Sequence, residues 1–262
     1  MKLSIITINF NNAVGLIKTF ESVFSQTYTG FEYIVIDGNS SDDSKNVIDQ
    51  HSDKINYWVS EKDNGVYHAM NKGIEKANGE YLLFLNSGDC LLNESVLKTA
   101  LSGKLEESIV YCDVKSNTTG EVLQFPDDLK FSFFYEATLN HQCTFIKKNL
   151  FEKYGLYNTK YKIASDWLFF MQCIFLYNES TRHMPLVLVL FDYTDGISTR
   201  ESNFQLMNNE RSAILSEYFG RFYEDYKAAD IIKQRLFIRN ENSLKMNRKI
   251  IRIVRKIRSL IK

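Results

Sequence analysis

Three short, strongly apolar runs, each ending abruptly in small polar residues, constrain this chain more than any other feature. The clearest is Tyr81-Leu82-Leu83-Phe84-Leu85, led in by Gly79-Glu80 and closed by Asn86-Ser87-Gly88-Asp89. Consecutive apolar residues of this kind read as a strand buried on both faces, the habit of parallel sheets. Leu3 to Ile8 is β-branched and compact and ends at Thr7–Asn9; Phe31 to Ile36 ends at Asp37-Gly38-Asn39-Ser40. In an open α/β sheet, ligands bind outside the carboxyl ends of the strands. The polar clusters therefore predict a binding site along one sheet edge. Asp89 is placed there to hold a hard cation against a phosphate. Asn, Ser, Gly and Asp are also ordinary turn residues, so a plain turn is the alternative reading of this stretch alone.

Between the runs the periodicity changes. Val14 to Ser25 carries Leu16, Phe20, Val23 and Phe24 at helical spacing, after Asn9, Asn11 and Asn12 as loop and cap residues. Ser41-Asp42-Asp43-Ser44 starts a second helix that runs to about His51; Ile55 to Val59 is a third strand, and Gly65 to Ala77 another helix. Strand–helix alternation at this pace predicts right-handed crossovers and an α/β fold with a mostly parallel, Rossmann-like sheet flanked by helices. After a helix near Ser95–Leu101 the pattern loosens. Ile109 to Val114, Val122 to Phe125 and His141 to Ile146 predict strands of a mixed sheet built onto the parallel half. Ser165 or Asp166 caps an aromatic helix through Tyr177, Leu186 to Phe191 is a strand, and helix follows from Ser202 to the end.

A chain of 262 residues suffices for one large domain with an extension. The composition shift puts the boundary so that 1–218 form the main domain and 219–262 a helical C-terminal extension. Cys90, Cys112, Cys143 and Cys173 are scattered without a CxxC pair, which speaks for a reducing compartment and against zinc. No run approaches the length of a bilayer span, and the N-terminal run is short for a signal peptide, so the expected location is cytoplasmic. The net charge of zero hides an asymmetry. Residues 245–262 hold eight Lys or Arg and no acid, leaving 24 basic against 32 acidic side chains before them. Met246, Ile250, Ile253, Val254, Ile257 and Ile261 recur at helical spacing among those cations. This reads as a basic amphipathic helix on an anionic membrane surface, or else as a helix packed on the domain. Nucleic acid is not expected as a partner, since the segment lacks aromatic residues for base stacking.

Familiar nucleotide devices are missing: no GxGxxG follows the first strand, and there is no Gly-Lys-Ser/Thr loop. No His/Cys cluster offers a transition-metal site. Carboxylates and amides at strand ends remain, a set that suits a base, a ribose and a metal-bridged diphosphate.

Six segments in order carry a resemblance: Ser4-Ile5-Ile6-Thr7-Ile8-Asn9-Phe10-Asn11, Val35-Ile36-Asp37-Gly38-Asn39-Ser40-Ser41-Asp42, Ser60-Glu61-Lys62-Asp63-Asn64-Gly65-Val66-Tyr67, Asn71-Lys72-Gly73-Ile74, Phe84-Leu85-Asn86-Ser87-Gly88-Asp89 and Ala164-Ser165-Asp166-Trp167. The set resembles family 2 of the glycosyltransferases, inverting nucleotide-sugar enzymes of the glycosyltransferase A fold, and within it the bacterial capsule and colanic-acid branch. The resemblance implies that Thr7, Asn9, Asp37 and Asn39 face the nucleobase and ribose. Asp63, Asn71 and Lys72 would line the same pocket, with Asn86 and Ser87 at the diphosphate. Asp89 would hold Mn²⁺ or Mg²⁺, and Asp166 would be the catalytic base. His141, Gln142, Trp167 and the Asp195-Gly196-Ile197-Ser198 loop would lie on the sugar or acceptor side. The implied donor is a nucleoside-diphosphate sugar, UDP- in preference to GDP-. The implied acceptor is a lipid-linked or oligosaccharide intermediate of bacterial surface polysaccharide synthesis, met at the inner face of the membrane.

The chain departs from the family pattern at Gly38, where a second acid is common, and at Asn86 and Gly88, where the metal motif often carries acids. His68 stands where that branch often has Asp. Beside each role stands a plain structural one: turn residues for Asp37 and Asp63, helix surface for Asn71 and Lys72, a strand-edge histidine for His141, a helix cap for Asp166, core for Trp167. Two other readings of the whole are a sugar nucleotidyltransferase and a catalytically inactive nucleotide-sugar-binding protein of the same fold.

Overall fold

The structure, a computed structural model, describes residues 3–191, 196, 200–229 and 231. By contacts the chain divides into two compact units, Met1–Glu210 and Arg211–Lys262. Asp195, Ile197, Ser198 and the basic segment 245–262 lie outside the described residues.

The first unit opens with β1 (Leu3–Asn9), α1 (Ala13–Phe24), β2 (Phe31–Asp37), α2 (Ser44–Gln50), β3 (Tyr57–Ser60), α3 (Val66–Lys76) and β4 (Tyr81–Phe84). β1 and β4 are buried along their whole length, as unbroken apolar runs require. β1 pairs in parallel with β2 on one side and β4 on the other, and β2 pairs in parallel with β3. Chain order therefore runs outward from β1 to β3 and then jumps back across β1 to β4. That reversal is a topological switch point, where a crevice opens outside the strand ends. In register, Asn9 lies beside Asp37, and Asp37 beside Ser60. α3 presses close on β1 because position 73 is glycine: a Cβ there would run into Ile6 Cγ2.

The second half is mixed, as the loosened pattern predicts. It comprises β5 (Cys90–Leu91), α4 (Val96–Ala100), β6 (Ile109–Ser116), β7 (Val122–Leu123), α5 (Phe131–Glu136), β8 (Thr144–Lys147), α6 (Asn149–Tyr154), α7 (Ser165–Met171) and β9 (Thr181–Phe191). Among the described residues one sheet runs β3-β2-β1-β4-β8-β6-β9-β5, with β7 on β6. β8 joins β4 and β6 in antiparallel fashion, while β6 and β9 are parallel. Residues 204–210 of the first unit and 211–229 of the second are helical.

Two local expectations need correction. His141–Cys143 form a 3-10 turn, and β8 begins only at Thr144, so His141 is not on a strand. α7 has Ala164 as its N-cap residue, with Ser165 and Asp166 inside the helix and no side-chain cap. Past Met171 the helix continues as a π turn to Leu176.

A buried histidine fastens the far half of the sheet. His183 of β9 donates from Nε2 to Asp113 Oδ1 at 2.9 Å and from Nδ1 to Asp127 Oδ1 at 2.7 Å. Its ring stacks on Tyr111, beside the irregular register of β6 and β9 at Asp113. Burial works to lower the His183 pKa, but the carboxylates of Asp127 and Asp113 more than offset it, and the net shift is upward. Stability from a raised histidine pKa is complete below the ordinary histidine value and is lost as pH rises through the folded value. His183→Gln is therefore expected to lower the melting temperature more at about pH 5.5 than at about pH 9. Equal losses at both pH values would show that the ring acts by packing alone.

Candidate active site

The carboxyl edge of β1, β2 and β4 is organised by a carboxylate that does not face it. Asp37 is fully buried, and its oxygens accept from Asn9 Nδ2 at 2.8 Å, Ser40 N at 3.0 Å, Ser40 Oγ at 2.6 Å and Ser60 Oγ at 2.6 Å. These donors tie the ends of β1, β2 and β3 and the turn after β2 together. Asp37 thus fastens the strand ends and borders none of the cavities described below. Thr7 is enclosed in the same way. It is fully buried, donating to Leu85 O at 2.7 Å and sharing a hydrogen bond with Tyr33 OH at 2.8 Å. Asn39 is exposed at φ 63° and lines none of the cavities described below.

Asn9 and Asp63 do line the crevice, a cavity of about 500 Å³ that Phe10 and Gly38 also border. Asn9 Oδ1 is buried without a hydrogen-bond partner. Asp63 accepts from Lys72 Nζ at 2.6 Å, and Lys72 also meets Glu61 at 2.8 Å. Burial would lower the Lys72 pKa; its hydrogen bonds to Asp63 and Glu61 reverse that, so the ammonium holds its proton more firmly than usual. Lys72 is therefore Asp63's counter-ion and not a cavity wall. Asn71 is likewise removed from the site: its amide donates to Tyr157 O at 2.8 Å and accepts from Tyr157 N at 3.0 Å. That two-way clamp fixes the segment after α6 to α3.

The loop after β4 is held by α1. Thr19 Oγ1 accepts from Gly88 N at 2.9 Å and donates to Asp89 O at 2.9 Å, while Asn12 Nδ2 donates to Ser87 O at 3.0 Å. Asn86, Ser87 and Asp89 thereby line a second, smaller pocket of about 150 Å³, next to the crevice. His141, Gln142 and Asp166 form its opposite side. Through His141 the two sides touch: Asn86 Nδ2 donates to Nε2 at 3.1 Å, and Nδ1–H donates to Asp166 Oδ2 at 2.8 Å.

Asp166 is enclosed by donors. Besides His141, Oδ1 accepts from Tyr67 OH at 2.7 Å and from Trp167 N at 2.9 Å. Burial pulls the carboxyl pKa up, and the bonds from His141, Tyr67 and the Trp167 amide outweigh it, leaving the pKa below the ordinary value. Tyr67, its own pKa raised by burial and by the Asp166 charge, stays a donor. The turn entering α7 is fixed from far along the chain. Glu210 accepts from Lys162 N at 2.7 Å, Ile163 N at 3.0 Å and Ala164 N at 3.1 Å. A cap supplied from such a distance leaves no spacing signal, which is why Ser165 or Asp166 is the natural guess. Trp167 is core, not a platform: it is buried, with Nε1 donating to Phe134 O at 2.9 Å.

Tyr67 has no expected role from the motifs, although Tyr67, Met70, Asn71 and Ile74 share the buried face of α3. Asn12, Val66, Lys162 and Ile163 also border the small pocket. Among the described residues no group of three His, Cys, Asp or Glu is arranged to hold a metal. The oxygen donors present fit a different arrangement. Asp89 supplies a buried carboxylate, and Asn86 Oδ1 is buried with no hydrogen-bond partner. Two hard ligands suit a cation that takes its remaining ligands from phosphate and water.

Comparison with known proteins gives a consistent result. The pattern described as Glycosyl transferase family 2 matches residues 4–172. A PGL/p-HBAD biosynthesis glycosyltransferase of Mycobacterium bovis (strain BCG / Pasteur 1173P2) is 31% identical over 201 residues, 74% of this chain and 78% of its own length. An uncharacterized glycosyltransferase of Mycobacterium tuberculosis (strain ATCC 25618 / H37Rv) is 35% identical over 206 residues, 76% of this chain and 78% of its own. Among solved structures, S. aureus TarS 1-349 in complex with UDP-GlcNAc superposes with a TM-score of 0.67 at 20% identity, over 85% of this chain and 69% of its own. The mannosyltransferase PcManGT from Pyrobaculum calidifontis, in complex with GDP-Man and Mn²⁺, gives 0.60 at 17%, over 85% and 64%. At these identities the structures report a shared fold.

The role of Asp37 as a fastener is testable. Asp37→Ala leaves buried donors unpaired and is expected to cost about 1–3 kcal/mol in urea unfolding. Unchanged stability together with weakened nucleotide binding would return Asp37 to the ligand.

Proposed function

The chain belongs to glycosyl transferase family 2 and has the glycosyltransferase A fold, and from that premise we propose that it is an inverting transferase with Asp166 as the base. The observation that carries the reading is one small pocket with Asp89 on one side and Asp166 on the other, the latter kept ionised by three hydrogen-bond donors. Family membership makes the chain a glycosyltransferase and sets aside the nucleotidyltransferase alternative.

In the proposed reaction the donor is a nucleoside-diphosphate sugar whose nucleoside lies in the larger cavity. The acceptor oxygen bonds to the anomeric carbon from the face opposite the diphosphate, and the bond to the diphosphate oxygen breaks with its electron pair. Asp166 takes the proton that the acceptor hydroxyl loses. A single displacement inverts the anomeric centre without a covalent nucleophile. Tyr67 and His141 orient the carboxylate and keep it charged, which limits its basicity but holds it ready below the ordinary carboxylate range. Mn²⁺ or Mg²⁺, held by Asp89 with Asn86 Oδ1, would stabilise the negative charge on the departing diphosphate.

UDP is the favoured nucleotide, in line with the complexes of TarS; GDP, as in the mannosyltransferase, is the second choice. A lipid-linked acceptor finds support in a 38% match over 96 residues to a GalNAc(5)-diNAcBac-PP-undecaprenol beta-1,3-glucosyltransferase of Campylobacter jejuni subsp. jejuni serotype O:2, covering 35% of this chain and 31% of that one. The relatives' names do not point to capsule or colanic acid, so the wider role in surface polysaccharide synthesis is the proposal. No helix among the described residues is long and apolar enough to cross a membrane. Contact with the membrane's inner face would rest on the cations of 245–262.

Two measurements test this reading. Asp166→Asn keeps the shape but cannot accept a proton, and transfer is expected to fall by about 10²–10⁴. Donor affinity should hold, because the diphosphate lies on the Asp89 side. A transfer rate close to the parent's would remove Asp166 as the base, and the binding-only alternative would gain if the parent transferred no sugar. For the cation, Mn²⁺ is expected to tighten UDP binding in calorimetry for the parent and not for Asp89→Ala. Equal tightening in both would move the cation elsewhere.

A further inference from the structure

A phenol carries one hydrogen, and Tyr67 has two acceptors for it. Its hydroxyl oxygen lies 2.7 Å from Asp166 Oδ1 and 2.6 Å from Ile163 O. Both are O–H···O hydrogen-bond distances, and each contact needs a hydrogen of its own. The neighbouring donors supply none, since Trp167 N–H is engaged with Oδ1 at 2.9 Å and His141 Nδ1–H with Oδ2 at 2.8 Å. Ile163 O is a backbone carbonyl and brings none either. Tyr67 and Ile163 border both the reaction pocket and a third cavity, of about 420 Å³, yet Tyr67 is only 5% exposed and its contact with Ile163 is buried. With Asp166 ionised, the line from Ile163 O through Tyr67 to Asp166 Oδ1 therefore has two short contacts and one hydrogen.

Acceptor strength decides where that hydrogen rests. A carboxylate accepts more strongly than an amide carbonyl, because its charge assists the bond. Once the carboxyl is neutral the assistance is gone, and the backbone amide oxygen becomes the better acceptor. Tyr67 keeps its own proton in either state, since burial holds its pKa well above the ordinary phenol value. Only the direction of its O–H bond changes, and a hydroxyl rotates to suit its partners. Glu210 accepts from Ile163 N at 3.0 Å and from Ala164 N at 3.1 Å, which keeps the carbonyl of that turn in place.

We propose that Tyr67 is a positioning residue with two settings: its hydrogen lies on Asp166 Oδ1 while the carboxylate awaits the acceptor, and turns to Ile163 O once Asp166 has taken the acceptor's proton. This rests on the reading of Asp166 as the base. One proton moves, from the acceptor oxygen to the Asp166 carboxylate, while the Tyr67 hydrogen stays on its own oxygen. A fixed donor would favour the ionised carboxylate alone and so hold back proton uptake. A donor that finds Ile163 O after the transfer regains a bond on the product side, so Asp166 is kept ionised at a smaller loss of basicity.

The titratable groups that bear on Asp166 are His141, Tyr67 and Tyr157, with Asp89 also lining the pocket, so the test reads the hydrogen bond itself at neutral pH. In the full chain labelled with ¹³C and ¹⁵N, the HNCO resonance of the Ala164 amide reports the Ile163 carbonyl carbon, which moves downfield when its oxygen gains a hydrogen bond. Without substrates, the parent is expected to place this carbon where Tyr67→Phe places it. Asp166→Asn, which keeps the shape and removes the charge, should move it downfield, and adding Tyr67→Phe to that variant should move it back. A parent already downfield of Tyr67→Phe, or no shift in Asp166→Asn, overturns the proposal; if Tyr67→Phe does not fold, the parent against Asp166→Asn decides alone. In the transfer assay Tyr67→Phe is expected to lower kcat by about tenfold at unchanged donor KM, and a kcat equal to the parent's overturns its part in the reaction. Because the carbonyl shift is read without substrates, it is separate from the transfer rate of Asp166→Asn, whose persistence overturns instead the base reading on which this one rests.

Discussion

A carboxylate taken out of water must be met by hydrogen-bond donors, and that requirement assembles this molecule. Asp37, Asp166 and Glu210 are each largely buried, and each is met by groups from other parts of the chain. Asp37 gathers Asn9, Ser40 and Ser60 and so aligns the ends of neighbouring strands. Glu210 gathers consecutive backbone amides and fixes the turn before α7. Asp166, one turn later, then stands where Tyr67 of α3 and His141 before β8 can reach it. Loss of the Glu210 carboxylate would be felt at Asp166 through the backbone that carries it.

Polar satisfaction also separates scaffold from site. Thr7, Asn71 and Lys72 have their hydrogen-bonding groups engaged with protein partners, and none borders the three cavities described. Asn9 and Asn86 border cavities, and each has an amide oxygen buried without a partner. An orphaned buried acceptor costs free energy in the protein alone. A nucleoside hydroxyl at Asn9 and a cation at Asn86 are chemically suited to relieve that cost. Asn86 does more than border its pocket, since its amide nitrogen bonds His141 and so links the Asp89 side to the base. Donor and acceptor halves of the proposed chemistry thus meet through one amide and one imidazole.

Much of the fold was legible from periodicity. The runs at Leu3–Ile8, Phe31–Ile36 and Tyr81–Leu85 are β1, β2 and β4 within a residue or so, because a doubly buried strand can hardly be written in any other residues. Amphipathic spacing marked α1 and α3 equally well. It failed at His141–Cys143, which lead directly into the apolar Thr144–Ile146 of β8 but form a tight turn before it. It was also silent on short elements such as β5, α5 and α6, which have too few residues to show a period.

The sequence by itself determined that polar residues would stand at the ends of buried strands, and which carboxylates were available there. It could not determine which of them face outward. Asp37 ends β2 and Asp89 stands in the loop after β4, yet one is wrapped by Asn9, Ser40 and Ser60 while the other lines the reaction pocket. That difference is set by donors distant in sequence, as are the cap from Glu210 and the grip of Tyr67 on Asp166, across 99 residues of chain. Hydrogen bonding at such separations depends on where strands and helices come to lie, and only the tertiary structure brings the partners within reach.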